Sequence, residues 1–533
     1  MGRIHPKLTL NSLEKLLKNR FKEGFLSLKD LPHPSIFKDM NKATDRIIKA
    51  INNKEQIVII GDYDVDGIIS TTLMKLFFNE IEYPIKWIIP NRFRDGYGLS
   101  ENIISRIKES DLAITVDNGI SAVSAAQLCK EQNIELIITD HHLLAPQIPE
   151  AYVIINQKQE DCNFPYKDIC GAQIAWYLIA SLKNALEIKI DIMSLLELVS
   201  IAIIADMMPL KDINRAMVIT GLKSLSNSKR PAIKAFLEKY EKEKLSSEDI
   251  SFLLAPLLNS PGRMDDALYA VDFLSSSNIY DARVKLDRLI DFNNLRKETE
   301  AKITKEALDT ANVSDNILVL VGKEWHEGVV GIVAARVARI HKKPTIILSL
   351  NKEGMLKGSG RSFDECDLFA ITNSCREYLE KFGGHQAAIG LSLKEKNLEK
   401  FKAELQKNYS LEEYKKETLD SDIVGELNFN SISFDILKII DKYEPYGFGN
   451  SRPKFISKNV RIIDVTTMGK ENNHLRFSLE QNAIVFNGVK FKTYKKYTLD
   501  SQVTITYTLN KNYFNGRVRL QLLIDNISII NTE

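Results

Sequence analysis

Cysteine is scarce and unpatterned in this chain: five in 533 residues (Cys129, Cys162, Cys170, Cys366 and Cys375), with no C-x-x-C pair. That spacing excludes a zinc ribbon and a disulfide framework and points to a reducing compartment, the cytoplasm. No apolar run reaches the roughly 18 residues that a membrane span needs. The N-terminus, MGRIHPKLTLNSLEKLLKNR, lacks the compact apolar core of a secretory signal. An excess of either charge is missing as well, with Lys+Arg at 72 against Asp+Glu at 70, a net of +2. A histone-like polycation and an acidic tail protein are therefore excluded, while a local patch could still bind nucleic acid. Neither G-x-x-x-x-G-K-[ST] nor G-x-G-x-x-G follows the first strand, which argues against a nucleotide-binding loop there.

What is present is strand–helix alternation. At about 150 residues per domain, the length suggests three or four domains. Short β-branched runs at 56–60, 85–89, 112–116, 135–139 and 153–155 alternate with helical patterns at 68–79 and 120–132. That order predicts a parallel sheet with crossover helices. Residues 1–50 read as an N-terminal extension packed on the lobe next in the chain. The segment 195–205 is apolar on nearly every side and predicts a buried helix. No strand is legible in 214–310, and 279–311 reads as one long charged helix joining two lobes. A second alternation comes next, with strands at 317–322, 345–350 and 387–393 and helices at about 328–341, 367–382 and 397–407. From about 420 the period drops to two, as in QVTITYTL (502–509), and the YFNG at 513–516 signals a hairpin, so a small antiparallel barrel or sheet is expected.

The chemistry is carried by where the acids and histidines fall. Strand 56–60 runs into GDYDVDG, giving Asp62, Asp64 and Asp66; strand 112–116 ends at Asp117; strand 135–139 ends at Asp140, His141 and His142. Ligands of open parallel sheets bind outside the carboxyl ends of the strands, so five acids and two imidazoles converge on one crevice. Asp206 adds a further acid at the end of the apolar helix. Each signal alone has an ordinary explanation: a D-x-D turn, an N-cap aspartate or a surface histidine pair. Three successive strand ends bearing them together do not. Crowded carboxylates need neutralising, and an oxygen-rich set with imidazole and no thiolate suits Mn²⁺ or Mg²⁺. The number of ligands suggests two ions, the arrangement that cleaves phosphate esters. Tyr97 reads either as a base-stacking residue or as a core tyrosine, and His326 either as a ligand contact or as a helix cap.

The motifs GDYDVDG, VDNG (116–119) and DHH (140–142), with Asp206, resemble the signature of the DHH phosphoesterase superfamily. PNRFRDGYGL (90–99), LLNSPGRMDDA (257–267), WHEGVVGIVAARV (325–337), GSGRS (358–362), GGHQAAIG (383–390) and EPYGFGN (444–450) resemble its single-strand-specific DNA exonucleases over about residues 50–525. The resemblance implies an α/β multidomain chain. Its parts are a parallel-sheet DHH catalytic lobe (51–213), a helical region with a long connecting helix (214–315), an α/β DHHA1 substrate-binding lobe (316–410) and an all-β oligonucleotide-binding (OB) barrel (420–533). It implies 5′→3′ degradation of single-stranded DNA to mononucleotides with two Mn²⁺ or Mg²⁺ ions, in repair and recombination.

Asp62, Asp64, Asp66, Asp117, His141 and Asp206 are then the expected metal residues. Asp117 bridges the ions, and two of the three acids at 62, 64 and 66 are direct ligands. His142 is expected at metal or at substrate phosphate, and Asp140 as its supporting partner. Arg92, Ser359 and Arg361 are expected at a terminal 5′ phosphate. Tyr97, Asn259, Arg263, Ser362 and His385 are expected along the substrate, with His385 at a helix-to-strand turn. The barrel would bind single strands by charge and stacking. With only 15 Lys+Arg against 12 Asp+Glu in 420–533, a patch must come from placement, and KFKTYKK (490–496) is the best candidate. Expected partners are a single-strand-binding protein and a helicase, with no membrane and a monomeric chain. The competing readings are a DHH/DHHA1 phosphodiesterase of short oligonucleotides or cyclic dinucleotides, and a non-catalytic replication scaffold.

Overall fold

The computed structural model describes residues 5–529 apart from 22–23, 145, 365, 412–422, 470–473, 492, 494 and 515–516. The chain divides into two units: residues 31–208 with 217–417, and residues 1–30 with 209–216 and 418–533.

The larger unit begins with the helix Met40–Asn53 and a parallel sheet of β1 (Ile57–Ile60), β2 (Lys86–Ile88), β3 (Leu112–Val116), β4 (Glu135–Thr139) and β5 (Val153–Ile155) in the order β2-β1-β3-β4-β5. All four pairings are parallel. Strands β1 and β3 are buried on both faces, which is why they read as continuous apolar runs rather than alternating ones. One face packs Leu99, Ile103, Ile104, Ala125, Ala126 and Cys129 against Val58, Ile60, Ala113 and Ile138. Helix Leu196–Ala205 is buried along its length, as its all-round apolarity predicts.

Helices fill most of 217–309, ending in the 31-residue helix Ile279–Asp309, about 46 Å long at 1.5 Å per residue. A second sheet comes next: β6 (Leu318–Lys323), β7 (Thr345–Leu350), β8 (Met355–Arg361), β9 (Lys381–His385) and β10 (Ala388–Lys394), in the order β6-β7-β8-β10-β9. Only β6 and β7 are parallel. Two expectations are corrected here. The helix read over 367–382 stops at Asn373, and 381–385 is strand β9, hydrogen-bonded to β10. His385 therefore closes a strand in a hairpin rather than a helix-to-strand turn. The reason is tertiary: KFGGH has little strand propensity of its own, and pairing to β10 supplies what the local sequence lacks.

The smaller unit holds β11 (Ile423–Glu426), β12 (Lys454–Met468), β13 (His474–Gln481), β14 (Ile484–Lys490), β15 (Gln502–Phe514) and β16 (Arg517–Ile529). The order β11-β12-β13-β14-β16-β15, with β15 returning to pair with β12, closes five strands into a barrel. It is not wholly antiparallel, since β14–β16 and β11–β12 run parallel. The turn residues Asn515 and Gly516 lie outside the described residues, as do Lys492 and Tyr494 of the basic segment 490–496.

The extension read over 1–50 divides between the units. Leu8, Leu13, Leu17 and Phe21 enter the barrel core with Leu427, Phe455, Val503 and Tyr507, and the Leu8 N–H donates to the Glu426 carbonyl at 2.9 Å. Its first part thus packs on chain some 400 residues away. Leu17 is fully buried, so Leu17→Ala should destabilise this unit by about 2–5 kcal/mol, measured as a lowered urea midpoint for its unfolding.

Candidate active site

Strands β1, β3 and β4 are neighbours in the sheet, so their carboxyl ends stand in a row about 4.8 Å apart. After β1 the chain turns through Asp62 into helix Val65–Glu80. Asp64 caps this helix by accepting from the Gly67 N–H at 3.1 Å. Gly67 has to be glycine, because a Cβ there would sit 2.5 Å from the Asp62 backbone. Asp66, in the first turn, accepts from the N–H groups of Gly171 (2.5 Å) and Ala172 (2.8 Å), where a second helix starts. Asp117 leaves β3 at φ 64°, a left-handed conformation that Asp and Asn tolerate better than most residues. Asp206 ends helix Leu196–Ala205 as its C-cap.

These segments meet at His141. Its Nε2 lies 3.2 Å from Asp117 Oδ1, 3.6 Å from Asp206 Oδ2 and 3.7 Å from Asp66 Oδ2. Three triads bring one ligand atom each within 4.8 Å of one another: Asp62, Asp64 and Asp117; Asp66, His141 and Asp206; Asp117, His141 and His142. Asp117 and His141 each belong to two of them. Among the described residues no lysine or arginine forms an ion pair with any of the five acids at 62, 64, 66, 117 and 206. Asp62 Oδ1, both Asp117 oxygens, Asp206 Oδ2 and His141 Nδ1 are buried without a hydrogen-bond partner. Buried acceptors without donors are costly, and an oxygen-rich set with one neutral imidazole fits divalent cations.

The electrostatics agree. Burial, then repulsion from Asp66, Asp64 and Asp62, holds the Asp117 carboxyl well above the usual carboxylate range. Burial and Asp64 do the same for Asp62. Burial, with Asp66 and Asp64, lifts Asp206 to about 8. Burial lowers His141, leaving it neutral and able to act as a ligand. His142 behaves oppositely: burial works against its charge, but the 2.7 Å hydrogen bond to Asp140, with the Asp140, Asp64 and Asp206 charges, lifts it to about 9. Asp140 is itself held low, because the donors His142 and Ile120 outweigh its burial.

Stability should therefore depend on pH. A carboxyl lifted to about 8 when folded and near 3.9 when unfolded keeps a proton that the unfolded chain has released. Its contribution is full below the unfolded value and is lost as pH rises through about 8. The melting temperature of EDTA-treated protein should fall between pH 5 and pH 9. Added Mn²⁺ should restore it, more strongly at the higher pH, because metal competes with those protons. Calorimetry in buffers of different ionisation enthalpy should record release of at least one proton on Mn²⁺ binding at pH 7.

Beside the acids lies a cluster of guanidiniums. Arg92 stacks over the ring of Tyr63, the residue between Asp62 and Asp64, at 4.2 Å, and its Nε is buried without a partner. Arg263 is brought to about 10 by burial and by Arg92, Arg296 and Arg361. Burial and Arg92 also lower Arg361, which donates to Ser359 Oγ at 2.7 Å. Cations held this close have the character of an anion pocket. Asn259 is one turn before Arg263 on helix Ala255–Met264, on the same face. His385 pairs with Ala388, which pairs with Arg361, so all three share one face of the second sheet.

Tyr97 is half exposed over the acids, its hydroxyl 3.4 Å from His142 Nε2. Ser362 is engaged elsewhere, its hydroxyl donating to the Cys366 carbonyl. His326 is a cap: its Nδ1 accepts from the Gly328 N–H at 3.1 Å. Sequence reasoning missed Tyr63, Arg296 and the Gly171–Ala172 helix start. Tyr63 was visible inside the acidic motif itself; the other two had no local signal.

Residues 56–203 match the family model of the DHH family N-terminal domain, 314–410 that of the DHHA1 domain, and 423–526 that of the RecJ OB domain. The lobe that gathers the acids is thus a DHH domain, and the second sheet is a DHHA1 domain. The chain is 33% identical over 524 residues to the single-stranded-DNA-specific exonuclease RecJ of Escherichia coli, covering 92% of this chain and 90% of that protein. It is 32% identical over 521 residues to RecJ of Bacillus subtilis, covering 95% of this chain and 65% of that longer relative. The crystal structure of RecJ from Thermus thermophilus in complex with Mn²⁺ superposes with a TM-score of 0.83 at 23% identity, covering 98% of this chain and 76% of that one. The chain belongs to the RecJ family. No described helix is long and apolar enough to cross a membrane.

Proposed function

We infer that this chain is a divalent-metal-dependent exonuclease that degrades single-stranded DNA from the 5′ end to mononucleotides. One observation carries the reading: uncompensated buried carboxylates and clustered guanidiniums meet at Tyr63 within one unit. Arg296 is paired with Glu300 at 2.9 Å, but among the described residues the five acids and Arg92, Arg263 and Arg361 form no carboxylate–guanidinium or carboxylate–ammonium pair, and a phosphodiester with its metal ions supplies both kinds of counter-ion.

Asp62, Asp64, Asp66, Asp117, His141 and Asp206 would hold Mn²⁺ or Mg²⁺, with Asp117 shared between two ligand groups. When bound, the ions lower the pKa of a water and neutralise charge developing on the phosphoryl oxygens. The protein's own groups do the rest. The backbone N–H groups of Gly171 and Ala172 pin Asp66 in one orientation. Asp140 keeps His142 protonated near neutral pH, so that it can donate to a phosphate oxygen. Arg92, Arg263, Arg361 and Ser359 take the terminal 5′ phosphate, which sets polarity and measures off one nucleotide. Asn259, Tyr97 and His385 line the strand behind it, and the OB barrel by itself binds single strands by charge and stacking. A single-strand-binding protein and a helicase are the partners this reading implies, for a cytoplasmic monomer in repair and recombination.

The test is to incubate the protein and Mn²⁺ with a long single strand labelled at either end, with and without a 5′ phosphate. Mononucleotides released from the 5′ end support the reading. An intact long strand with rapid loss of dinucleotides makes the chain a small-substrate phosphodiesterase instead.

A further inference from the structure

Two apolar side chains at the edge of the acid cluster are unexplained by metal binding. Met207 comes directly after Asp206 and is 63% exposed; Leu143 comes directly after His142 and is 71% exposed. The two backbone segments meet where His141 Nε2 approaches Asp206 Oδ2 at 3.6 Å, so both residues stand on segments that border one charged site. Single exposed hydrophobic residues are ordinary, but Met207 is not in an ordinary conformation. Helix Leu196–Ala205 ends in a Schellman turn, in which the Met207 N–H donates to the Ile204 carbonyl and the Met208 N–H to the Ile203 carbonyl. Met207 takes the left-handed position of that turn at φ 54°, where glycine would carry no steric cost. Sixteen described non-glycine residues have positive φ, and Met207 alone among them has a large apolar side chain. The chain accepts strain and exposes a hydrophobic group to water beside its charged centre. Strain kept at such a place is a mark of function.

We propose that Met207 and Leu143 form an apolar seat for the base of the terminal nucleotide, unstacking it from its neighbour before the bond is cut. This rests on the exonuclease reading above. Tyr97, with its ring edge-on to His142 at 6.1 Å, borders the same site. Every base has an apolar face, so such a seat accepts all four bases and remains sequence-tolerant.

The experiment compares a strand bearing an ordinary 5′-terminal nucleotide with one whose terminal residue is an abasic tetrahydrofuran. Wild type and the variants Met207→Gly, Met207→Leu and Leu143→Ala are measured with Mn²⁺. Wild type should favour the base-bearing end by about tenfold in kcat/KM, in line with stacking on one base. Met207→Gly and Leu143→Ala should erase most of that preference, chiefly through KM, while cutting the abasic end as wild type does. Met207→Leu should keep the preference. Met207→Gly should melt no lower than wild type, because glycine relieves the strained turn, and should take up Mn²⁺ normally. A preference retained in Met207→Gly, or an equal loss on both ends, overturns the seat. Failure of wild type to cut either strand overturns the exonuclease reading instead.

Discussion

Asp117→Asn should cost at least about 10³-fold in kcat, equivalent to about 4 kcal/mol of transition-state stabilisation. Asparagine is the informative replacement. It keeps the side-chain volume and tolerates the left-handed backbone at φ 64°, where alanine would add strain. Only the charge is lost, and Asp117 belongs to two of the three ligand-competent triads. The variant should also melt higher than wild type in EDTA at pH 8, because the burial and the repulsion that together hold Asp117 above the usual range no longer act on a charge. Less activity with more metal-free stability cannot come from misfolding. Activity within tenfold of wild type would remove Asp117 from the metal site. Gly171→Ala tests the same site from behind: a Cβ there would stand 2.5 Å from Asp117 Cβ and 2.7 Å from its Oδ1, so the carboxylate must shift. A displacement of that order should cost about 100-fold.

The second large effect concerns the guanidiniums. Arg361→Gln should lower kcat/KM about 100-fold on 5′-phosphorylated strands, the scale of losing one partner of a desolvated charge pair. The loss on 5′-hydroxyl strands should be no more than about threefold, since without the terminal phosphate that pair is never formed. The fold should not suffer, because Arg92 and burial already disfavour the charge on Arg361, and Arg361 in turn weighs on Arg263. An equal loss on both strands would assign Arg361 to the DNA backbone at large and leave 5′ recognition to other residues.

Much of the catalytic lobe was legible because its signals are local. Ile57–Ile60, Leu112–Val116 and Glu135–Thr139 are short, β-branched and almost wholly buried, so each strand announces itself, and each is succeeded at once by its acids. The helix Ile279–Asp309 was legible from its length and charge. Strands β8 and β9 were not. MLKGSGR and KFGGH carry too much glycine to signal a strand, and only their pairing with β7 and β10 makes them one. Nor could local pattern tell that Leu13 and Leu17 belong with Phe455 and Tyr507; an amphipathic helix declares an apolar face but not its partner.

The sequence by itself determined the chemistry: which carboxylates, imidazoles and guanidiniums exist, and that three strand ends carry the acids. Covalent order and strand propensity are enough for that. The tertiary structure decided the division of labour among them. The helix start at Gly171 holds Asp66, Asp140 charges His142 while burial keeps His141 neutral, and Tyr63 carries Arg92. These roles depend on dielectric and on distances between residues far apart in the chain, and such quantities exist only once the sheet has brought the strand ends together.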